Sequence, residues 1–210
     1  MDINLEKIVV NTHASICIDS KIYIDPFKIT HNKHNADIVF VTHSHYDHLD
    51  LEAILRVVND KTIVVCPGDV ASKLTANGFN SNRIAIVCAG DKGSLRGVDF
   101  EVVPAYNINK DFHPADMGWV GYILTIDGVR YCVCGDSDVT PELKLVKCDC
   151  LFVPIGGTYT MDIDEAVELL KAVKPKVAIP VHYGSIVGDI TLGKELQDKA
   201  KSICEIVLKI

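Results

Sequence analysis

At 210 residues, nearly half of them hydrophobic, the chain can bury a sizeable core, and its formal net charge of −7 is the wrong sign for a general nucleic-acid binder. Its apolar residues fall in short runs, none near the length of a membrane span, so no membrane association is expected. Residues 1–6 carry two acids, Asp2 and Glu6, and no basic stretch before an apolar core, which argues against a secretory signal and for a reducing, cytoplasmic setting. The expectation is one domain, residues 1–210.

Leu5 to Val10 reads as a first strand. Ser15 to Ile24 reads as two strands joined by an Asp19-Ser20-Lys21 turn, and Asp25-Pro26 stops the ladder. His31 and His34 lie in a polar stretch and read as solvated. Ile38 to Val41 is a buried strand, and its C-terminal end opens into His43-Ser44-His45-Tyr46-Asp47-His48, three imidazoles and a carboxylate in six residues. On an extended path His43 and His45 point to one side and can hold an ion together. Asp47 and His48 follow where the chain turns and can reach a second ion. Such donors suit zinc, manganese or iron, and the lack of cysteine in this stretch argues against a thiolate site.

Asp50 can cap a helix with Leu51, Ile54, Leu55 and Val58 on its apolar face. Thr62 to Cys66 and Arg83 to Val87 read as strands on either side of a helix from Asp69 to Ala76, stopped near Gly78. Phe100 to Asn107 is a further strand. Trp119 to Ile126 and Val129 to Cys134 form a hairpin across Asp127-Gly128, leading into Gly135-Asp136. Asp149 to Pro154 is a strand, after which Gly156-Gly157 either cradles a phosphate or makes a tight turn. Asp162 and Glu165 form a capping box for the next helix, and Lys176 to Val181 is a strand with His182 at its tip. Alternating strand and helix is the pattern of a layered α/β domain. The two hairpins, one ending in Asp25 and the other in Asp136, suggest two similar β-rich halves. Cys132-x-Cys134 and Cys148-x-Cys150 lie in apolar runs without the spacing of a zinc knuckle, and read as buried thiols rather than a zinc site.

Thr42-His43-Ser44-His45-Tyr46-Asp47-His48 resembles the H-x-H-x-D-H signature of the metallo-β-lactamase superfamily. Thr12-His13-Ala14-Ser15, Ile24-Asp25-Pro26, Gly135-Asp136, Pro154-Ile155-Gly156-Gly157 and Pro180-Val181-His182-Tyr183-Gly184 narrow the likeness to small hydrolases related to ascorbate-6-phosphate lactonase. The resemblance implies a four-layer αββα sandwich and two divalent ions, zinc first, with manganese or iron as alternatives. It implies His43, His45, Asp47, His48, Asp136 and His182 as metal ligands, with Asp136 bridging. Asp25 would lie beneath the metal loop and orient it, or serve only as a turn residue before proline. His13 would sit near the site, touching substrate or a ligand carboxylate, or be a buried histidine bonded to backbone. The family places a further histidine ligand after the strand that here ends in Asn107. Either Asn107 is a poor oxygen ligand, or His113 swings in from the loop, or the first ion is held loosely.

Hydroxide generated at such ions would attack an ester, lactone or phosphodiester, with no serine or cysteine nucleophile and no G-x-S-x-G elbow required. Asp47 or Asp136 would handle the proton, and His113 would act as the missing ligand or as a proton donor to the leaving group. The expected partner is a small-molecule substrate, not a nucleic acid. A metal-binding domain that has lost turnover is the alternative, motivated by Asn107. Nothing in the sequence dictates an oligomeric state.

Overall fold

The computed structural model describes residues 2–210, so Met1, the first residue of the expected domain, lies outside the described residues. Packing falls into two units, Asn4–Cys88 and Ala89–Ile210. The first holds a six-stranded sheet in chain order: β1 (Ile8–Thr12), β2 (Ser15–Ile18), β3 (Ile22–Ile24), β4 (Ile38–Phe40), β5 (Ile63–Cys66) and β6 (Ile84–Ile86). β1 to β3 pair antiparallel, and β3 to β6 pair parallel. The turn between β2 and β3 has Asp19 at φ +52° and Ser20 at +58°, the paired left-handed conformation that matches strand twist in a tight hairpin. Parallel pairing demands crossovers, and α1 (Leu51–Val57) and α2 (Gly68–Ala76) supply two of them. Val39, Val41, Ile54, Val57, Val64 and Leu74 meet in one core cluster.

Two expectations for this unit need correction. The first strand starts at Ile8, not Leu5, because Asn4 accepts a hydrogen bond from the Glu6 amide and Leu5–Lys7 forms a 3-10 turn. On the expected apolar face of α1, Ile54 is buried and Leu51 and Val58 pack partly buried against the same core, but Leu55 is exposed, and Ala53 and Val57 complete the buried face. Asp50 does cap α1, accepting from the Ala53 amide at 3.0 Å. His31 and His34 are exposed, as expected.

The second unit holds a seven-stranded sheet: β7 (Lys92–Leu95), β8 (Val98–Pro104), β9 (Val120–Ile126), β10 (Val129–Val133), β11 (Cys150–Pro154), β12 (Val177–Val181) and β13 (Glu205–Ile206). β7 to β10 are antiparallel and β10 to β13 parallel. Its helices are α3 (Pro141–Lys144), α4 (Ile163–Val173) and α5 (Leu192–Ala200). Both bonds of the Asp162–Glu165 capping box are present, and Ile163, Ala166, Leu169, Leu170 and Val173 are buried at helical spacing. β7, α3, α5 and β13 are additional to the expected elements. β7 is a four-residue edge strand with Gly93 inside it, and β13 is two residues long, too short for any pattern. Among the described residues no helix is long and apolar enough to cross a membrane.

Cys132, Cys134 and Cys150 are buried, and neither they nor Cys148 form a disulfide. The hydrogen bond to Cys134 holds the Cys132 thiol well above its ordinary range, with burial adding to it, and burial raises Cys150. Thiols kept neutral in this way pack as small apolar groups, the structural role expected of them.

The capping box and the buried face of α4 are separable in energy. Asp162→Ala is expected to cost about 1 kcal/mol, and Leu170→Ala roughly 2–5 kcal/mol through the cavity it leaves. Urea denaturation of both variants checks the ranking; equal losses would show that the cap carries more than the first turn.

Candidate metal centre

In the first unit the metal loop is built on one carboxylate. Asp25 follows β3 with φ +45°, and its amide donates to the Phe40 carbonyl at the end of β4. Its Oδ1 accepts the Thr42 amide at 2.8 Å, and its Oδ2 accepts the Thr42 hydroxyl at 2.7 Å and His48 Nδ1 at 2.8 Å. Thr42 Oγ1 in turn accepts from His43 Nδ1 at 2.9 Å. Engaging both rings through Nδ1 fixes their tautomers and presents Nε2 as the ligating atom. The amides of His48 and Leu49 donate to the His45 carbonyl, which turns the chain and brings Asp47 and His48 round.

Ring nitrogens of His43 and His45 that could hold an ion lie within 4.8 Å of each other, as do those of His43 and His48. Asp47 Oδ2 stands 3.1 Å from His13 Nε2 and 3.7 Å from His48 Nε2. His13 is fully buried and contacts Asp47, the carboxylate expected as a ligand, rather than backbone. Lys73, on α2, donates to the Ser44 carbonyl at 3.0 Å and hydroxyl at 2.9 Å, pinning the residue between His43 and His45. Sequence reasoning missed Lys73, since no local pattern marks a helix lysine whose partner lies 29 residues away.

In the second unit the centre is Asp136. Gly135, at φ +68°, turns the chain sharply after β10, and Asp136 follows with its side chain buried. Asp136 Oδ2 lies 3.0 Å from His182 Nε2 and 3.2 Å from His113 Nε2. His182 follows β12 at φ +58°. Gly156 lets it sit there: a Cβ at that position would meet the His182 carbonyl oxygen at 2.5 Å. A tight turn against His182 therefore accounts for the first of the paired glycines without any phosphate. His113 is buried, and its ring packs 5.3 Å from that of Trp119.

Of the alternatives for the missing ligand, His113 is the residue that reaches Asp136. Asn107 lies past the end of β8, donating its backbone N–H to the His113 carbonyl at 2.8 Å and its Nδ2 to the Tyr159 carbonyl at 2.8 Å. Its buried Oδ1 has no hydrogen-bond partner among the described residues.

His13, Asp25, His113 and His182 all sit at positive φ. Left-handed backbone at a residue other than glycine costs of order 1–3 kcal/mol, and persists where the surroundings over-determine it. The donor set fits a divalent cation: nitrogen and carboxylate oxygen, buried except at His45, with the His43 and His48 rings oriented from behind. Ligands about 2.0–2.1 Å from one zinc ion lie roughly 3.3 Å apart, close to the 3.0 and 3.2 Å separations around Asp136 Oδ2.

Comparison with known proteins agrees with this chemistry. Residues 6–183 match the family model described as a β-lactamase superfamily domain. A UPF0173 metal-dependent hydrolase of Archaeoglobus fulgidus is 31% identical over 204 residues, covering 85% of this chain and 84% of that protein. A solved structure from Parabacteroides distasonis superposes at TM-score 0.80 with 31% identity, covering 96% of this chain and 91% of that one. A metallo hydrolase of Ignicoccus hospitalis shares the fold at TM-score 0.74 and 24% identity, covering 96% and 93%.

The Asp25 network yields a test. Asp25→Asn keeps the shape but removes the charge that orients His48 and, through Thr42, His43. Metal affinity is expected to fall about 10–100-fold, the usual loss when an outer partner of a ligand histidine is altered. Competition titration against a chromophoric chelator measures it; affinity within twofold of the parent would show that the loop orients itself.

Proposed function

Because this chain belongs to the β-lactamase superfamily, as one of its metal-dependent hydrolases, we propose that it hydrolyses a small ester, lactone or phosphodiester using two divalent ions, zinc foremost. The observation that carries this reading is the pair of imidazoles, His113 and His182, facing one oxygen of Asp136. A carboxylate with a ligand histidine on each side is suited to bridging two ions. His43 and His45 form one donor pair in the metal loop, and Asp47 and His48 the next. Ions held by these residues would bring the pKa of water to about 7 and polarise the bond under attack.

The remaining work falls to the chain itself. Asp47 or Asp136 takes and returns the proton, and the His13 contact holds Asp47 in one orientation. His113 serves either as a ligand or as a proton donor to the leaving group. Ile108, Phe112 and Met117 are exposed on the loop that carries His113, which supports a partly apolar substrate. The acidic net charge of −7 supports a small molecule over a nucleic acid. Cys17, Cys66, Cys132, Cys134, Cys148, Cys150 and Cys204 form no disulfides, which supports a reducing compartment such as the cytoplasm. The alternative, a metal-binding domain without turnover, rested on Asn107 in a ligand position, and the approach of His113 to Asp136 weighs against it.

The direct experiment is hydrolysis of an ester, lactone and phosphodiester panel by protein loaded with zinc or manganese, with elemental analysis alongside. Two tightly held ions and turnover are expected; ions without turnover on any member favour the alternative. Asp136→Ala should lose metal, and a variant that kept both ions and full activity would disprove the bridge. His113→Ala separates its two roles: loss of an ion marks a ligand, and loss of turnover with both ions kept marks an acid. No change in either quantity would remove His113 from the site.

A further inference from the structure

From Ile108 to Gly118 only His113 is buried, with Lys110 half-buried and the rest exposed. Apolar burial therefore holds this segment only at the Phe112 ring, 4.7 Å from that of Tyr159, and at His113 against Trp119, yet His113 is kept at φ +56° with its Nε2 3.2 Å from Asp136. Three polar anchors are available. The Ile108 amide donates to Asp138 Oδ2 at 2.8 Å, Lys110 Nζ donates to Asp138 Oδ1, and Lys110 Nζ lies 3.3 Å from Glu165 Oε2. Asp138 is only 3% exposed and stands two residues after Asp136, on the same turn. Glu165 belongs to the capping box of α4, outside the loop. Burial lowers the Lys110 pKa, but Asp138 and Glu165 outweigh it and hold the ammonium above its usual range, so the charge persists.

We infer that Lys110, Asp138 and Glu165 form a positioning clamp that fixes the His113 loop against the Asp136 turn in its ligating conformation. The inference rests on the proposed metal-dependent chemistry only in what the clamp is for. The clamp itself is a property of the metal-free chain. One carboxylate receives both a loop amide and a loop ammonium, so the segment 108–110 is tied at two points to the turn that carries Asp136. A loop fixed at its N-terminal side by Asp138, and across its width by the Asn107 amide on the His113 carbonyl, has little freedom left to withdraw the imidazole. Removing the ammonium leaves Asp138 as a buried carboxylate without its cation, the change that most strongly disrupts a buried pair. Arginine can replace it, since the guanidinium also donates to two carboxylates.

The test uses the full chain and two readouts. In metal-free protein, hydrogen exchange at the Asn107 and Ile108 amides is expected to run at least tenfold faster in Lys110→Met than in the parent. Emission of the single tryptophan, Trp119, against which His113 packs, should shift with it. Zinc affinity, measured by chelator competition, should fall about 10–100-fold, the range for partners that orient a ligand. Lys110→Arg should restore all three, and Glu165→Gln, which keeps the capping box, should give a smaller loss of the same kind. Lys110→Met with parental exchange and parental zinc affinity overturns the clamp, even if urea shows lowered stability, because a merely structural lysine would behave so. If the parent protein binds no divalent ion, zinc or manganese, the proposed function fails, and the exchange and Trp119 measurements still decide for or against the clamp.

Discussion

A single buried carboxylate carries the metal loop. Asp25 accepts the Thr42 amide, the Thr42 hydroxyl and His48 Nδ1, and through Thr42 it also fixes His43. Such a group is expensive to bury and is tolerated when both its oxygens are hydrogen-bonded. The reverse also holds: with its acceptors filled in one geometry, Asp25 leaves the two histidines one orientation each. The rest of the first unit serves that arrangement. β3 and β4 pair in parallel, which places Asp25, just past β3, beside Thr42, just past β4.

The second unit repeats the logic with different residues. There too an antiparallel hairpin, β9–β10, is followed by a parallel neighbour, β11, and a left-handed residue turns the chain into an aspartate. Asp136 collects His113 and His182, and Asp138, two residues on, collects the loop that delivers His113. In both units the parallel strand ends supply rigid backbone. The functional side chains stand on the first residues beyond it, where strain can be stored because the strands do not yield.

The positions that local patterns predict best are those governed by short-range rules. Asp50 and Asp162 cap helices because a side-chain oxygen can reach an amide three residues on. Asp19-Ser20 and Asp127-Gly128 turn because these residues tolerate positive φ. The same rules mislead where a cap competes with a strand, as at Asn4, which wins Leu5–Lys7 for a 3-10 turn. They are silent for α5, whose Leu192, Leu196 and Ala200 have helical spacing but low apolar content between them.

The sequence by itself determined the strand–helix alternation, the hairpin turns, the helix caps and the histidine-rich loop from His43 to His48, because each depends on residues within about one turn or one hairpin of each other. It also limited the metal to one that accepts imidazole and carboxylate. It left open whether Asn107 or His113 faces Asp136, whether His13 touches a ligand, and what Lys73, Lys110 and Asp138 do. Tertiary structure decided these, since each contact joins residues 23 to 34 positions apart or depends on the conformation of a loop. No local preference of a histidine at position 113 or a lysine at 110 encodes its partner. The partner is specified only when strand pairing brings the ends of β8, β10 and β12 to the same edge of one sheet.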